Sequence, residues 1–211
     1  MTMEDAAATV YLVDDDPDLL KALQRLLQSA GLQVSAFASA QQFLHGHDRL
    51  APGCLVLDLA LPGLGGLQLQ RQLEQQGSPL PIVFLTGRGD IAATVQAMKH
   101  GATDFLTKPV DDAVLLAAIH EALATDRLRR SAQTERDRVV GSLASLTERE
   151  RQVLEQVVAG RLNKQIAADL GTVEKTIKFH RGNLMRKLGV SSIADLVKLA
   201  ERAGIGEPLG G

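Results

Sequence analysis

Apolar positions along this chain change their spacing about two thirds of the way through, and the change divides it into two parts. In the first part, short runs rich in apolar residues at 10–13, 33–37, 54–57, 82–85 and 102–107 read as strands. Between them, apolar residues recur at helical spacing. Leu19, Leu20, Leu23, Leu26 and Leu27 lie on one face of a helix over 17–30 that Gly31 stops. Ser39 is placed to cap a second helix, 66–76 reads as a third, and 91–100 as a fourth ending at Gly101; a fifth begins near Asp111 and runs toward the charged stretch 125–138. Strand and helix alternate throughout, which predicts an α/β doubly wound five-stranded parallel sheet with helices on both faces.

From Ser145 onward no run reads as a strand. Thr147-x-x-Glu150 is a capping box opening a helix to Val158 that Gly160 closes. Asn163 is expected to cap a second helix to Leu170 before Gly171, Thr172 a third to Leu188 before Gly189, and Ser192-x-x-Asp195 opens a fourth. Two helices joined by the tight Gly171-Thr172 connection match helix-turn-helix geometry, within a small all-α four-helix domain. Along the third of these helices, Val173, Arg181, Leu184 and Leu188 fall near Ile177 and form the expected core stripe. Lys175, Phe179, Gly182 and Arg186 cluster on the opposite face, with Lys178 and Met185 at one edge. Cations and an aromatic facing outward suit a recognition helix in a major groove, which needs Lys or Arg for base edges and phosphates and an apolar group for a thymine methyl.

The chemistry of the first part sits at its strand ends. The first strand runs into Asp14, Asp15 and Asp16, the third into Asp58, the fourth into Thr86 and the fifth into Lys108-Pro109. In an open parallel sheet, ligands bind in the crevice outside the carboxyl strand ends, so these groups can converge although they are far apart in sequence. Carboxylates, a hydroxyl and an ammonium together make a site for a divalent cation and a phosphoryl group. A lone Asp at such a place is an ordinary exposed charge; several matching strand ends reverse that reading.

Charge sharpens the division. The net charge of −2 conceals −7 over residues 1–125, from 7 Lys and Arg against 14 Asp and Glu, and +4 over 140–206, from 11 against 7. An acidic part joined to a basic one predicts two domains with different partners, the basic one suited to a polyanion. Cys54 is the sole cysteine, which excludes an internal disulfide and leaves it as a small core residue. No apolar run approaches the roughly 20 residues of a membrane span. The first nine residues also lack the basic start and apolar stretch of a signal peptide, so the expectation is a cytoplasmic protein with no membrane partner.

These residues carry a resemblance. Val13-Asp14-Asp15-Asp16, Asp58 followed by Pro62-Gly63, Thr86-Gly87, Phe105 and Lys108-Pro109 resemble the signature of a two-component receiver domain. Leu146-Thr-Glu-Arg-Glu150, Asn163-Lys-Gln-Ile-Ala167, Thr176-Ile-Lys-Phe-His180 and Leu184-Met-Arg-Lys-Leu188 resemble the LuxR-type helix-turn-helix. The stretches 84–90 and 97–109 are similar to the FixJ branch of the FixJ/NarL response regulators. The resemblance implies a flavodoxin-like receiver over 8–125, a helical charged linker over 126–144 and a LuxR-type DNA-binding domain over 145–206. Whether that linker is a continuous helix or flexible stays open at this point.

By the same resemblance, Asp58 accepts a phosphoryl group from a sensor histidine kinase. Asp15, Asp58 and the backbone carbonyl of Ala60 hold Mg2+ directly, with Asp14 acting mainly through water. Lys108 supplies positive charge for the phosphoryl oxygens, the Thr86 hydroxyl follows the phosphoryl group, and Phe105 swings into the vacated space. The face of the fourth helix and fifth strand then pairs with a second receiver, giving a homodimer. Lys178 and Phe179 reach base edges of double-stranded promoter DNA, while Lys164, Lys175, His180, Arg181 and Lys187 contact or support its phosphates. The last helix, with Ile193, Leu196, Val197, Leu199 and Ala200, is apolar over more than one face and suits dimer pairing. The implied activity is phosphorylation-dependent regulation of transcription, not enzymatic turnover. Two departures from the family pattern, the apolar Leu59-Ala60-Leu61 and Arg88 two residues past Thr86, are expected to tune phosphorylation and hydrolysis rates.

Two other classes share part of the pattern. A Mg-dependent phosphatase of the haloacid dehalogenase type also uses a strand-end Asp, but needs a second Asp two residues on, where this chain has Ala60. An acyl-homoserine-lactone receptor shares the C-terminal motif but needs an aromatic-rich pocket, and this chain has no Trp and one Tyr.

Overall fold

The computed structural model describes residues 8–87 and 91–202. It divides into two compact units between Ser131 and Ala132. The first contains β1 (Thr9–Val13), α1 (Pro17–Ser29), β2 (Gln33–Phe37), α2 (Ala40–Gly46), β3 (Gly53–Asp58), α3 (Gly66–Gln75), β4 (Ile82–Thr86), α4 (Ile91–Lys99) and β5 (Asp104–Thr107), followed by the start of α5 (Asp112–Ala144). The strands are ordered β2-β1-β3-β4-β5, and every pairing is parallel.

Side chains alternate across the sheet with the two-residue period of a strand. Val10, Leu12, Cys54, Val56, Val83 and Leu85 pack with Leu20, Leu23 and Leu27 of α1 and with Leu115, Ala118 and Ile119 of α5. Tyr11, Val13, Leu55, Leu57, Ile82 and Phe84 cluster instead with Phe43 of α2, Leu69 and Leu73 of α3 and Ala97 of α4. Burial on both faces explains why the strands read as apolar runs and not as a polar-apolar alternation. The fifth strand is shorter than its sequence suggests. The Ala102 N–H closes α4 by donating to the Ala97 carbonyl past Gly101, which has φ +80°; the Thr103 N–H then reaches the Ile82 carbonyl at 2.7 Å and the strand itself starts at Asp104. Residues 126–144 are part of the single helix α5.

The second unit holds α6 (Glu148–Val158), α7 (Asn163–Asp169), α8 (Glu174–Leu188) and α9 (Ile193–Arg202) around Val153, Leu154, Ile166, Ile177, Leu184, Leu188 and Leu196. The predicted capping box is formed: Thr147 N–H donates to Glu150 Oε2 at 2.9 Å and Glu150 N–H to Thr147 Oγ1 at 3.3 Å. Two other expected caps are displaced by one residue. Leu162 stands at the N-cap of α7, its N–H held by Gln165 Oε1 at 2.8 Å, and Asn163 is already helical. Val173, not Thr172, precedes α8 and is 65% exposed, so it leaves the core stripe predicted for it. Among the described residues, no helix is long and apolar enough to cross a membrane.

Candidate functional site

The strand order reverses direction between β1 and β3, where an open sheet leaves a crevice at its carboxyl edge. Asp14 follows β1 and Asp58 ends β3, and both are nearly buried. Lys108, one residue past β5, crosses β4 to reach them. Its Nζ donates to Asp14 Oδ2 and to Asp58 Oδ1, each at 2.6 Å. Its backbone N–H donates to the Thr86 carbonyl at 2.7 Å, fixing the loop that carries it. The remaining carboxylate oxygens are also occupied: Asp58 Oδ2 accepts the Ala60 N–H at 2.7 Å, and Asp14 Oδ1 the Asp16 N–H at 2.9 Å. Burial disfavours the Lys108 ammonium, but hydrogen bonds to Asp14 and Asp58 outweigh it, so its pKa stands above the ordinary lysine value.

Asp15 and Ala60 lie at the exposed rim. Asp16 caps α1, accepting from Asp18 N–H and Leu19 N–H at 2.9 and 3.2 Å. The expected acidic triad is therefore only partly assembled: among the described residues no three His, Cys, Asp or Glu side chains form a cluster able to hold a metal, and Lys108 stands between Asp14 and Asp58. The donor chemistry still fits Mg2+, because two nearly buried carboxylates present hard oxygens to a single cationic partner. Thr86 is buried at the end of β4. Phe105 is half-buried on β5, its ring centroid 6.0 Å from that of Phe84. Arg88 lies outside the described residues. Cys54 is fully buried and its thiol is pushed up to about 12 by burial and by Asp126, which excludes a reactive thiolate.

On the second unit, Lys175, Lys178 and Phe179 project from α8 into solvent, and Lys164 projects from α7. Phe179 is 65% exposed. Lys178 makes a surface ion pair with Glu174 at 3.2 Å, and His180 is half-buried with its ring against Phe179. Two of the predicted phosphate contacts are engaged inside the domain. The Arg181 guanidinium bonds the Asn163 side chain and braces α8 against α7. Lys187 donates to Glu150 Oε2 at 2.7 Å and to the Ser145 carbonyl at 3.0 Å, neutralising the buried carboxylate of the capping box. A cation's partner is decided by the packing around it, which the spacing along α8 does not reveal.

Residues 10–120 match the family model described as response regulator receiver domain, and residues 144–200 that of bacterial regulatory proteins, luxR family. Response regulator protein TodT of Pseudomonas putida is 46% identical over 200 residues, covering 95% of this chain and 88% of TodT. The chain belongs to the FixJ/NarL family of response regulators. Transcriptional regulatory protein FixJ of Bradyrhizobium diazoefficiens is 41% identical over 196 residues, spanning 93% of this response regulator and 96% of FixJ. The solved structure of response regulator StyR matches with a TM-score of 0.89 at 46% identity, over 93% of this chain and 100% of StyR. The phosphatase and lactone-receptor readings fall away, since these relatives are transcriptional regulators built from a receiver and a LuxR-type DNA-binding domain.

Two residues of this response regulator that shape the site carry no chemistry visible in sequence. Gly66 opens α3 against the end of β3, where a Cβ would meet the Asp58 carbonyl oxygen at 2.5 Å and Leu59 Cα at 3.0 Å. Gln70 is 2% exposed, and its Nε2 donates to the Ala97 and His100 carbonyls at 2.9 and 3.2 Å, holding the C-terminal end of α4. Gly66, next to Gly65 at a helix start, at least shows in sequence as a place where backbones can approach closely. A Gln paired 27 residues away has no such local signal.

Proposed function

We propose that this response regulator takes a phosphoryl group from a sensor histidine kinase onto Asp58, dimerises when phosphorylated and binds double-stranded promoter DNA through α8. The observation that carries this reading is the Asp14–Lys108–Asp58 bridge at the strand-order switch. In-line phosphoryl transfer needs charge neutralisation more than proton transfer. Lys108 already has its ammonium at the oxygen of the nucleophile, and Asp58 keeps a second oxygen oriented by the Ala60 N–H. Asp14, Asp15, Asp58 and the Ala60 carbonyl would hold Mg2+, which when bound neutralises charge on the phosphoryl oxygens. Such a protein works in the cytoplasm, where kinase and promoter are both reached.

Phosphorylation adds about two negative charges at Asp58. In this reading Thr86, buried at the end of β4, answers them, and Phe105 follows. The surface available for response is α4, where Ile91, Val95 and Met98 are 80%, 46% and 46% exposed at helical spacing. An apolar stripe of this kind on a soluble domain marks an interface, and the proposed occupant is a second receiver. On α9, Ile193 is 46% exposed, which supports a second contact between DNA-binding domains.

The test is sedimentation and DNA titration with and without beryllofluoride and Mg2+, using a duplex selected by the protein from random sequence. A mass increase to the dimer and tighter binding are expected; unchanged mass together with unchanged affinity would sink the reading. For base recognition, Lys178→Ala is expected to cost about 1–2 kcal/mol on the selected duplex and relax preference at one base pair. Lys164→Ala should weaken binding to all sequences and reduce the salt slope by about one. Equal losses on selected and scrambled duplexes would move Lys178 into the backbone-contacting set.

A further inference from the structure

The best-tied structure outside the phosphoacceptor site lies at the opposite edge of the sheet. Asp126, 1% exposed on α5, accepts the Gly53 N–H at 2.9 Å and the Arg130 Nε–H at 2.8 Å on the same oxygen. Arg130 then donates from Nη1 to the Leu50 carbonyl and from Nη2 to the Ala51 carbonyl, both at 2.7 Å. A single turn of helix thus binds the backbone of the loop that leads into β3. Gly53 is also pressed against the neighbouring strand β1, where a Cβ on it would stand 2.1 Å from the Thr9 carbonyl oxygen. The second oxygen of Asp126 is buried with no hydrogen-bond partner.

We infer that the Asp126–Arg130 pair is the joint by which the receiver drives the connector helix: it fastens α5 to the start of the same strand whose other end is the phosphoacceptor. β3 is six residues long and buried throughout, tied at one end through Gly53 to Asp126 and at the other through Asp58 to Lys108. A buried ion pair is an inefficient way to add stability, because well-packed apolar residues of similar volume do as well or better. It does impose direction. Three charge-assisted bonds from one turn, with Asp126 and Arg130 held to each other by a fourth inside the helix, fix both the rotation and the height of α5 against the start of β3, which apolar packing leaves freer to slide. Beyond Arg130 the helix runs on to Ala144, so whatever displaces the receiver is passed to that segment without slack at its root. The inference rests on phosphorylation controlling DNA binding, as proposed above.

The full-length protein, Arg130→Met and Arg130→Lys are compared on the selected duplex with and without beryllofluoride, alongside phosphoryl uptake from acetyl phosphate followed by intact mass. In the unaltered protein, beryllofluoride is expected to tighten DNA binding by on the order of 5–150-fold. Arg130→Met should take up phosphoryl at about the normal rate and bind DNA normally without beryllofluoride, yet lose most of that gain. Arg130→Lys, which keeps the charge beside Asp126 and one carbonyl contact, should recover part of it. A role in folding alone predicts a lower unfolding temperature with the gain intact below the transition, and that result overturns the joint. Loss of phosphoryl uptake in Arg130→Met overturns it too, since the pair would then be supporting the site itself. Absence of any gain in the unaltered protein counts against the functional reading and not against the joint.

Discussion

Asp58→Asn is expected to abolish phosphoryl uptake while leaving the receiver folded. Asp58 and Asp14 both face Lys108 at 2.6 Å and both have their other oxygen oriented by a backbone N–H, but Asp58 is the one of the two that is itself the last residue of a strand, in the middle of the sheet. An amide there cannot form an acyl phosphate. The fold survives because Lys108 keeps its contact with Asp14, and the Asn carbonyl oxygen can still accept one of the two donors. The amide NH2 then faces the other donor, a mismatch of about 1–3 kcal/mol offset in part by removing one of two neighbouring buried charges. Intact mass after acetyl phosphate and Mg2+ should show a single phosphoryl group on the unaltered protein and none on Asp58→Asn. Label that persists in the variant would place the acceptor elsewhere, with Asp14 and Asp15 the next carboxylates to test.

The strand-end site was legible in the sequence because each of its parts lies at or just past the end of a strand, and parallel strands share one carboxyl edge. Asp14, Asp58, Thr86 and Lys108 needed only that rule to be brought together. Asp15, two residues past the end of β1, stands exposed at the rim of the same edge. The helix caps of the second unit were shifted. Asn163 and Thr172 are good capping residues, but Asn163 is drawn to Arg181 and a hydrophobic residue takes each N-cap instead. The Asp126–Arg130 pair was hidden most completely. An Asp and an Arg four apart in a charged stretch look like a solvated i,i+4 pair, and only the fold brings Gly53, 73 residues away, under the carboxylate.

Lys187→Met is expected to destabilise the DNA-binding domain by about 2–3 kcal/mol without changing the salt dependence of DNA binding by the folded protein. Glu150 is 4% exposed, and its pKa is held below the ordinary carboxylate value by the hydrogen bond from Lys187, then by the Thr147 N–H, against the opposing effect of burial. Removing one partner of a covered ion pair strands the other charge, a loss of about 3–5 kcal/mol when both are buried; Lys187 is 37% exposed, which places the cost at or below the low end. The pH dependence has a definite sign. A carboxylate with a depressed folded-state pKa contributes stability above its unfolded value of about 4.3, and that contribution is lost as pH falls through the folded pKa. The deficit of Lys187→Met should therefore be full at neutral pH and close below about pH 4, as Glu150 becomes protonated in the variant before it does in the unaltered protein. In a domain of this size the neutral-pH loss corresponds to roughly 10 °C or more in unfolding temperature. Thermal unfolding from neutral to acid pH, paired with DNA titration across salt, separates this from a phosphate contact. An unchanged unfolding temperature with a salt slope reduced by about one would return Lys187 to the DNA.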